Sequence, residues 1–147
     1  MENVVIEISE LFHRRFLMRE FMPKDLSLQS ETNAVEFIDL SPTCRYIRIK
    51  PVSEHSIEIT LCKLHSHSVA MDIGHARVAN DPDYFPKDYT LINTFNIHKA
   101  YDTTDKYQID ILVPEGQPEH RDLTLDDIAD FVESEFKSFE SKSNPPA

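Results

Sequence analysis

The densest grouping of histidines is His65-Ser66-His67, with Asp72 and His75 close behind. In an extended segment successive side chains point to opposite sides, so His65 and His67 would share one side. Neutral imidazoles together with a carboxylate suit a divalent ion. A small metal-dependent or acid–base enzyme built on His65, His67, Asp72 and His75 is therefore one alternative reading. The pattern lacks the spaced second ligand pair that marks zinc motifs, and a turn at Ser66 would splay the rings. A polar turn that holds no metal and no cofactor is the reading these residues favour.

Nucleophilic chemistry has less to build on. Cys44 follows Ser41-Pro42-Thr43 and stands beside Arg45, which could lower its pKa, but no neighbouring base accompanies it. Cys62 alternates with apolar residues and is expected on the less buried face of a strand. Two cysteines without a C-x-x-C spacing read as inert thiols in a reducing compartment. The only glycines are Gly74 and Gly116. Their separation excludes G-x-G-x-x-G and G-x-x-x-x-G-K-[ST] phosphate loops and the G-x-S-x-G nucleophile elbow. With 26 acids in the chain, the mere presence of carboxylates singles out no general acid or base. No catalytic residue is assigned.

Binding chemistry is better represented. Between Asp81 and Tyr89, the acids Asp81, Asp83 and Asp88 alternate with Tyr84, Phe85 and Tyr89, and Pro82 and Pro86 stiffen the run. Rigid aromatics rimmed by charge are typical of interface hot spots, so Asp81, Asp83, Tyr84 and Phe85 are candidate binding residues. The competing reading pins Phe85 and Tyr89 onto the core and leaves Tyr84 at the rim. Charge points the same way as the loop. Acids outnumber Lys and Arg by 26 to 15, for a net charge of −11. The last 33 residues alone hold nine acids and three bases. Such a field repels phosphate backbones, which argues against direct nucleic-acid binding, and it steers basic partners inward.

Asp126, Asp130 and Glu133, on the polar face of a C-terminal helix, complete the candidate surface. The leading expectation is an acidic protein-interaction domain, of inhibitor, immunity-type or chaperone-like kind, that binds a basic protein partner. A self-associating structural subunit, such as a homodimer, is a further alternative. Arg14, Arg15 and Arg19 form the only basic cluster; Arg15 and Arg19 are expected on one helical face among Glu7, Glu10 and Glu20, as a mixed solvated surface. The start of the chain is acidic and no 18-residue apolar run occurs, so a cytoplasmic protein with no membrane contact is expected.

The elements that must position these residues form one α+β domain over 1–140, followed by a flexible tail over 141–147. Val5, Ile8, Leu11, Phe12 and Phe16 predict a helix over 3–22, with a short strand at Val4–Ile6 as the competing assignment. A loop follows over 23–33. Strands are expected at Val35–Leu40, Arg45–Lys50, Ile57–Cys62, Val69–Ile73, Tyr89–Ile97 and Tyr107–Val113, the last two joined by a turn at Asp102–Asp105. In the fifth, Tyr89, Leu91, Phe95 and Ile97 should share one face. Thr124 and Asp127 predict a capped C-terminal helix with Leu125, Ile128, Val132, Phe136 and Phe139 inward. The expected architecture is an antiparallel sheet of five or six strands, packed on one face by an N-terminal and a C-terminal helix.

Overall fold

The computed structural model describes residues 4–23, 34–39, 43–53, 55–81, 83–99, 107–111 and 119–143. Among these residues lie helices α1 (Val4–Arg15), α2 (His67–Val78) and α3 (Leu125–Ser143). The strands are β1 (Arg19–Phe21), β2 (Val35–Ile38), β3 (Arg45–Pro51), β4 (Ser56–Leu64), β5 (Tyr89–Lys99), β6 (Tyr107–Ile111) and β7 (Glu119–Leu123). They form one sheet in chain order, each strand antiparallel to its neighbours. The chain is α+β, with an antiparallel sheet carrying an N-terminal and a C-terminal helix, as its sequence predicts. Five of the six expected strands are present, and β1 and β7 bring the sheet to seven.

Alternation explains the main core. Ile47 and Ile49 of β3 stand opposite Leu61 and Ile59 of β4, and Ile57 and Ile59 stand opposite Ile97 and Phe95 of β5. All face the side on which α1 lays Val5, Ile8 and Phe12 and α3 lays Ile128, Val132 and Phe136. Each fully buried aliphatic or aromatic side chain contributes about 1.5–3 kcal/mol by leaving water. The start of α3 is closed reciprocally: Thr124 N–H donates to Asp127 Oδ2 at 3.1 Å, and Asp127 N–H donates to Thr124 Oγ1 at 3.3 Å. Asp thus fills the capping-box position usually held by Glu or Gln.

Four local expectations are corrected. The first helix begins without a strand at Val4–Ile6 and stops at Arg15. The chain then enters β1, which pairs Arg19, Glu20 and Phe21 with Ile38, Phe37 and Glu36. Arg19 is therefore on a strand and shares no helical face with Arg15. Pairing with β2 wins over helical periodicity because it seats Met18 against the main core and Phe21 on the opposite face.

The expected strand at Val69–Ile73 is α2. Ser66 caps it, its hydroxyl accepting from Val69 N–H at 3.3 Å, and Val69, Ala70 and Ile73 are buried at helical spacing. This helix covers the second sheet face, against Ile38, Tyr46, Cys62 and Leu64. The helices therefore occupy both faces, and Cys62 is fully buried instead of lying on a wet one.

In β5 the register slips once, because Leu61 pairs with Asn93 while Cys62 pairs with Leu91. The skipped Ile92 is a bulge, which inverts the alternation. Phe95 and Ile97 enter the main core, whereas Leu91 and Tyr89 stand opposite Cys62 and Leu64 on the α2 side.

Lastly, α3 runs to Ser143, into the tail expected from 141. The expected loop over 24–33, the turn at 40–42, the hairpin turn at 102–105, Val113 and residues 144–147 lie outside the described residues. Among the described residues no helix is long and apolar enough to cross a membrane.

Candidate interaction surface

The segment 81–89 is positioned by the end of α2. Asn80 adopts φ 60°, the left-handed conformation that Asn tolerates better than most residues. Asp81 N–H then reaches back to Ala76 O at 2.9 Å, and Asn80 N–H donates to Arg77 O at 3.1 Å. This is a Schellman arrangement, which fixes the direction in which the chain leaves the helix.

Arg77, in the last turn of α2, holds the segment from below. Its Nε donates to Glu36 Oε1 at 2.5 Å and its NH2 to Glu36 Oε2 at 2.9 Å. Its NH1 donates to the carbonyl oxygens of Asp81 and Tyr84 at 2.9 and 2.8 Å. Glu36 is buried, and Tyr46 donates its hydroxyl to Glu36 Oε2. Burial, then the Glu36 charge, pushes the Tyr46 hydroxyl well above the usual tyrosine range. Burial works against the Arg77 charge, yet the hydrogen bonds and charge of Glu36 outweigh it and raise its pKa.

Two further ties complete the loop. His65 N–H donates to Asp88 O at 3.0 Å. Phe85 stands edge-on to both Tyr46 and Tyr89, each with ring centroids 5.1 Å apart. Of the sequence candidates, Phe85 therefore anchors the loop to the core, and Tyr84 is at the rim with 37% of its surface exposed. Tyr89 is 39% exposed, and the β5 bulge adds a residue that the pattern did not single out, Leu91, which is 55% exposed. Val78, on the last turn of α2, is 66% exposed. Asp81, Asp83 and Asp88 are also exposed, and none of the three pairs with a described cation.

The acids of α3 are placed differently. Asp126 and Asp130 bind Arg15 at 3.1 and 2.7 Å, and Glu133 binds Arg45 at 3.1 Å. Arg45 also grips Glu140 through Nε and NH2 at 2.8 and 2.7 Å, with its guanidinium 5.0 Å from the Phe136 ring centroid. Arg15, expected within a mixed solvated surface, thus ties α3 to α1, Arg45 ties it to β3, and these acids are engaged within the chain.

No protein-family model, curated protein or solved structure matches the chain. The residues themselves carry the reading. Because Ser66 starts α2, His65 and His67 are not presented from an extended segment. His65 Nε2 lies 2.8 Å from Thr90 Oγ1. Among the described residues no three His, Cys, Asp or Glu side chains gather as a metal-holding group. Burial pushes the Cys62 thiol up to about 12, so it is protonated at neutral pH. Cys44 is buried as well.

Arg77, Glu36 and Leu91 are the residues that sequence reasoning missed. Ser66 as an N-cap, Asn80 as a left-handed C-terminal residue and Pro82 two residues later are the signals that could have revealed α2 and its exit.

Proposed function

We propose that this chain is a protein-interaction domain that docks a basic, partly apolar partner surface against its 81–91 face. The supporting observation is the combination of exposed Tyr84, Tyr89 and Leu91 with three carboxylates that form no ion pair with a described cation, on a segment that Arg77 ties down through the carbonyls of Asp81 and Tyr84. Aromatic side chains supply large contact area at low entropic cost, and a loop already held in shape loses little freedom on binding. The net charge of −11 speeds encounter with a basic partner, while the loop supplies the close contacts. The acids Asp126, Asp130 and Glu133 act at long range only, since each already has an arginine.

The test uses the partner recovered with the full chain from its source cells. Raising salt from about 0.05 to about 0.5 M slows association about tenfold or more if charge steers the encounter. Tyr84→Ala combined with Leu91→Ala accelerates dissociation about 30-fold if they form the anchor. An association rate indifferent to salt, together with an unchanged dissociation rate, would reject the reading. Phe85 is unsuitable for this test because its removal disturbs the packing of Tyr46 and Tyr89.

A further inference from the structure

The strand β5 is eleven residues long, yet its two neighbours cover it unequally. β4 pairs along residues 89–98, whereas β6 pairs only with residues 96–99. Among the described residues no strand lies on the β6 side of residues 89–95. This stretch is therefore a sheet edge inside the strand order. Edges are ordinarily blunted by lysine or proline, but residues 89–97 contain no charge, no proline and no glycine. Only the bulge at Ile92 interrupts them.

The main chain there is turned outward. His65 N–H donates to Asp88 O at 3.0 Å and Leu64 N–H donates to Cys44 O at 2.9 Å, so successive residues at this end of β4 face β5 and β3 in turn. Antiparallel pairing then turns the N–H and C=O groups of Tyr89 and Leu91 away from β4. Beyond the bulge, Thr94 opposite Thr60 is turned the same way. Lys87 O takes Tyr89 N–H at 3.0 Å. Tyr89 C=O and both groups of Leu91 and Thr94 are left to meet a further strand.

Carboxylates flank this edge. From α3, Glu135 accepts from Asn93 Nδ2 at 2.6 Å and forms no ion pair with a described cation. At the start of the strand Asp88 is exposed, and Asp81 and Asp83 stand on the segment that leads to it. A second copy of this chain would bring the same carboxylates to the same edge, so like charges would meet. An extended segment carrying lysine or arginine meets opposite charge instead. Tyr89 and Leu91 share the α2 side, so side chains that alternate with the basic ones meet an apolar surface.

We propose, on the basis that the 81–91 face is a docking surface, that its partner binds as an added strand, an extended segment of alternating apolar and basic residues antiparallel to β5 along residues 89–94. Main-chain hydrogen bonds to Tyr89, Leu91 and Thr94 supply affinity. The apolar side chains lie beside Tyr89 and Leu91, and the basic ones point towards Glu135. Antiparallel pairing matches every neighbouring pair of strands in the sheet.

The experiment titrates the full, isotopically labelled chain with acetyl-Thr-Val-Lys-Val-Lys-Val-Thr-amide and follows amide NMR shifts. In the antiparallel arrangement the valine N–H groups face β5 and the lysine N–H groups face solvent. Two further peptides carry backbone N-methyl groups, one on its valines and the other on its lysines. The parent peptide shifts the amides of residues 89–94 saturably. Valine methylation weakens it about 30-fold or more, while lysine methylation leaves it within about threefold. Glutamate in place of both lysines weakens binding about tenfold or more, and Glu135→Gln weakens the parent peptide about threefold.

Equal effects of the two methylations, equal binding of the glutamate peptide, or no saturable shift along 89–94 would each overturn the proposal. A stable dimer that protects these amides from hydrogen exchange would also overturn it. Shifts at Tyr84 and Leu91 that survive both methylations would remove strand addition alone and leave the docking face intact. The face itself is rejected separately, by salt-indifferent association and unchanged dissociation of the recovered partner.

Discussion

Arg77 reaches 41 residues back along the chain to Glu36 and closes both nitrogens of its outer edge on that one buried carboxylate. The remaining nitrogen holds two carbonyls of the loop that carries Tyr84. One side chain thus joins an inner strand, the second helix and the exposed aromatic rim. A bidentate guanidinium suits this position, because lysine could not serve both oxygens and the loop at once.

Removing one partner of this pair strands the other in a poorly hydrated place. Arg77→Met is expected to cost about 3–5 kcal/mol in urea unfolding, while Arg77→Met with Glu36→Met recovers most of that loss. Hydrogen exchange over residues 83–89 should quicken in the single variant. Additive losses in the double variant would show that the two residues do not act as a unit.

The clamp of Arg45 on α3 sets a limit at low pH. Hydrogen bonding from Arg45 holds the Glu140 carboxyl below its usual 4.5. The unfolded chain then takes up the proton more readily than the folded one, so the contribution of Glu140 is complete above about 4.5 and is lost as pH falls through its lower folded value. Urea midpoints measured across this range should fall less steeply for Arg45→Met than for the unaltered protein, from a lower starting point.

Cys62 sets a limit at high pH. Its thiol rises from the ordinary 9.0 to about 12 on folding because α2 buries it. The folded chain holds this proton while the unfolded chain releases it, so the stabilisation is complete below about 9 and is lost as pH climbs towards about 12. The slope is about 1.4 kcal/mol per pH unit over that window. Cys62→Ala should flatten the fall between about pH 9 and about pH 11, leaving the loss from Tyr46, which begins near 10 for the same reason. An unchanged slope would mean that the thiol is hydrated.

Gly74 offers a gain. Among the described residues, a methyl group there would meet only the Phe21 ring, at 3.7 Å, which is ordinary contact. Gly74→Ala should stabilise the protein by about 0.5–1 kcal/mol, since glycine inside a helix loses more backbone freedom than alanine. A loss measured by thermal unfolding would show that Phe21 packs more closely than this.

The parts legible in the sequence are those written in one period. Ile47, Ile49, Ile57, Ile59 and Leu61 alternate cleanly, and Ile128, Val132 and Phe136 recur at helical spacing, so β3, β4 and α3 follow from pattern alone. The helix α2 does not, because Val69, Met71 and Ile73 alternate like a strand while its boundary signals, Ser66 and Asn80, are single residues. The strand β1 has three residues, too few to show a period. The orientation of Tyr89 and Leu91 depends on one bulged residue, Ile92, which alternation cannot reveal. The loop was recognisable as a binding candidate from its composition, but its support was not, since Glu36 and Arg77 meet only through the sheet.

Site-specific photo-cross-linking in the source cells tests the interaction reading most directly. A benzophenone amino acid placed at Leu91 would report on the 81–91 face, and the same group at the exposed Val52 would serve as the comparison. The expected result is one discrete adduct from position 91, absent from position 52, joined to a partner peptide rich in lysine or arginine. Identical adducts from both positions, or a partner peptide with an acidic surface, would contradict it.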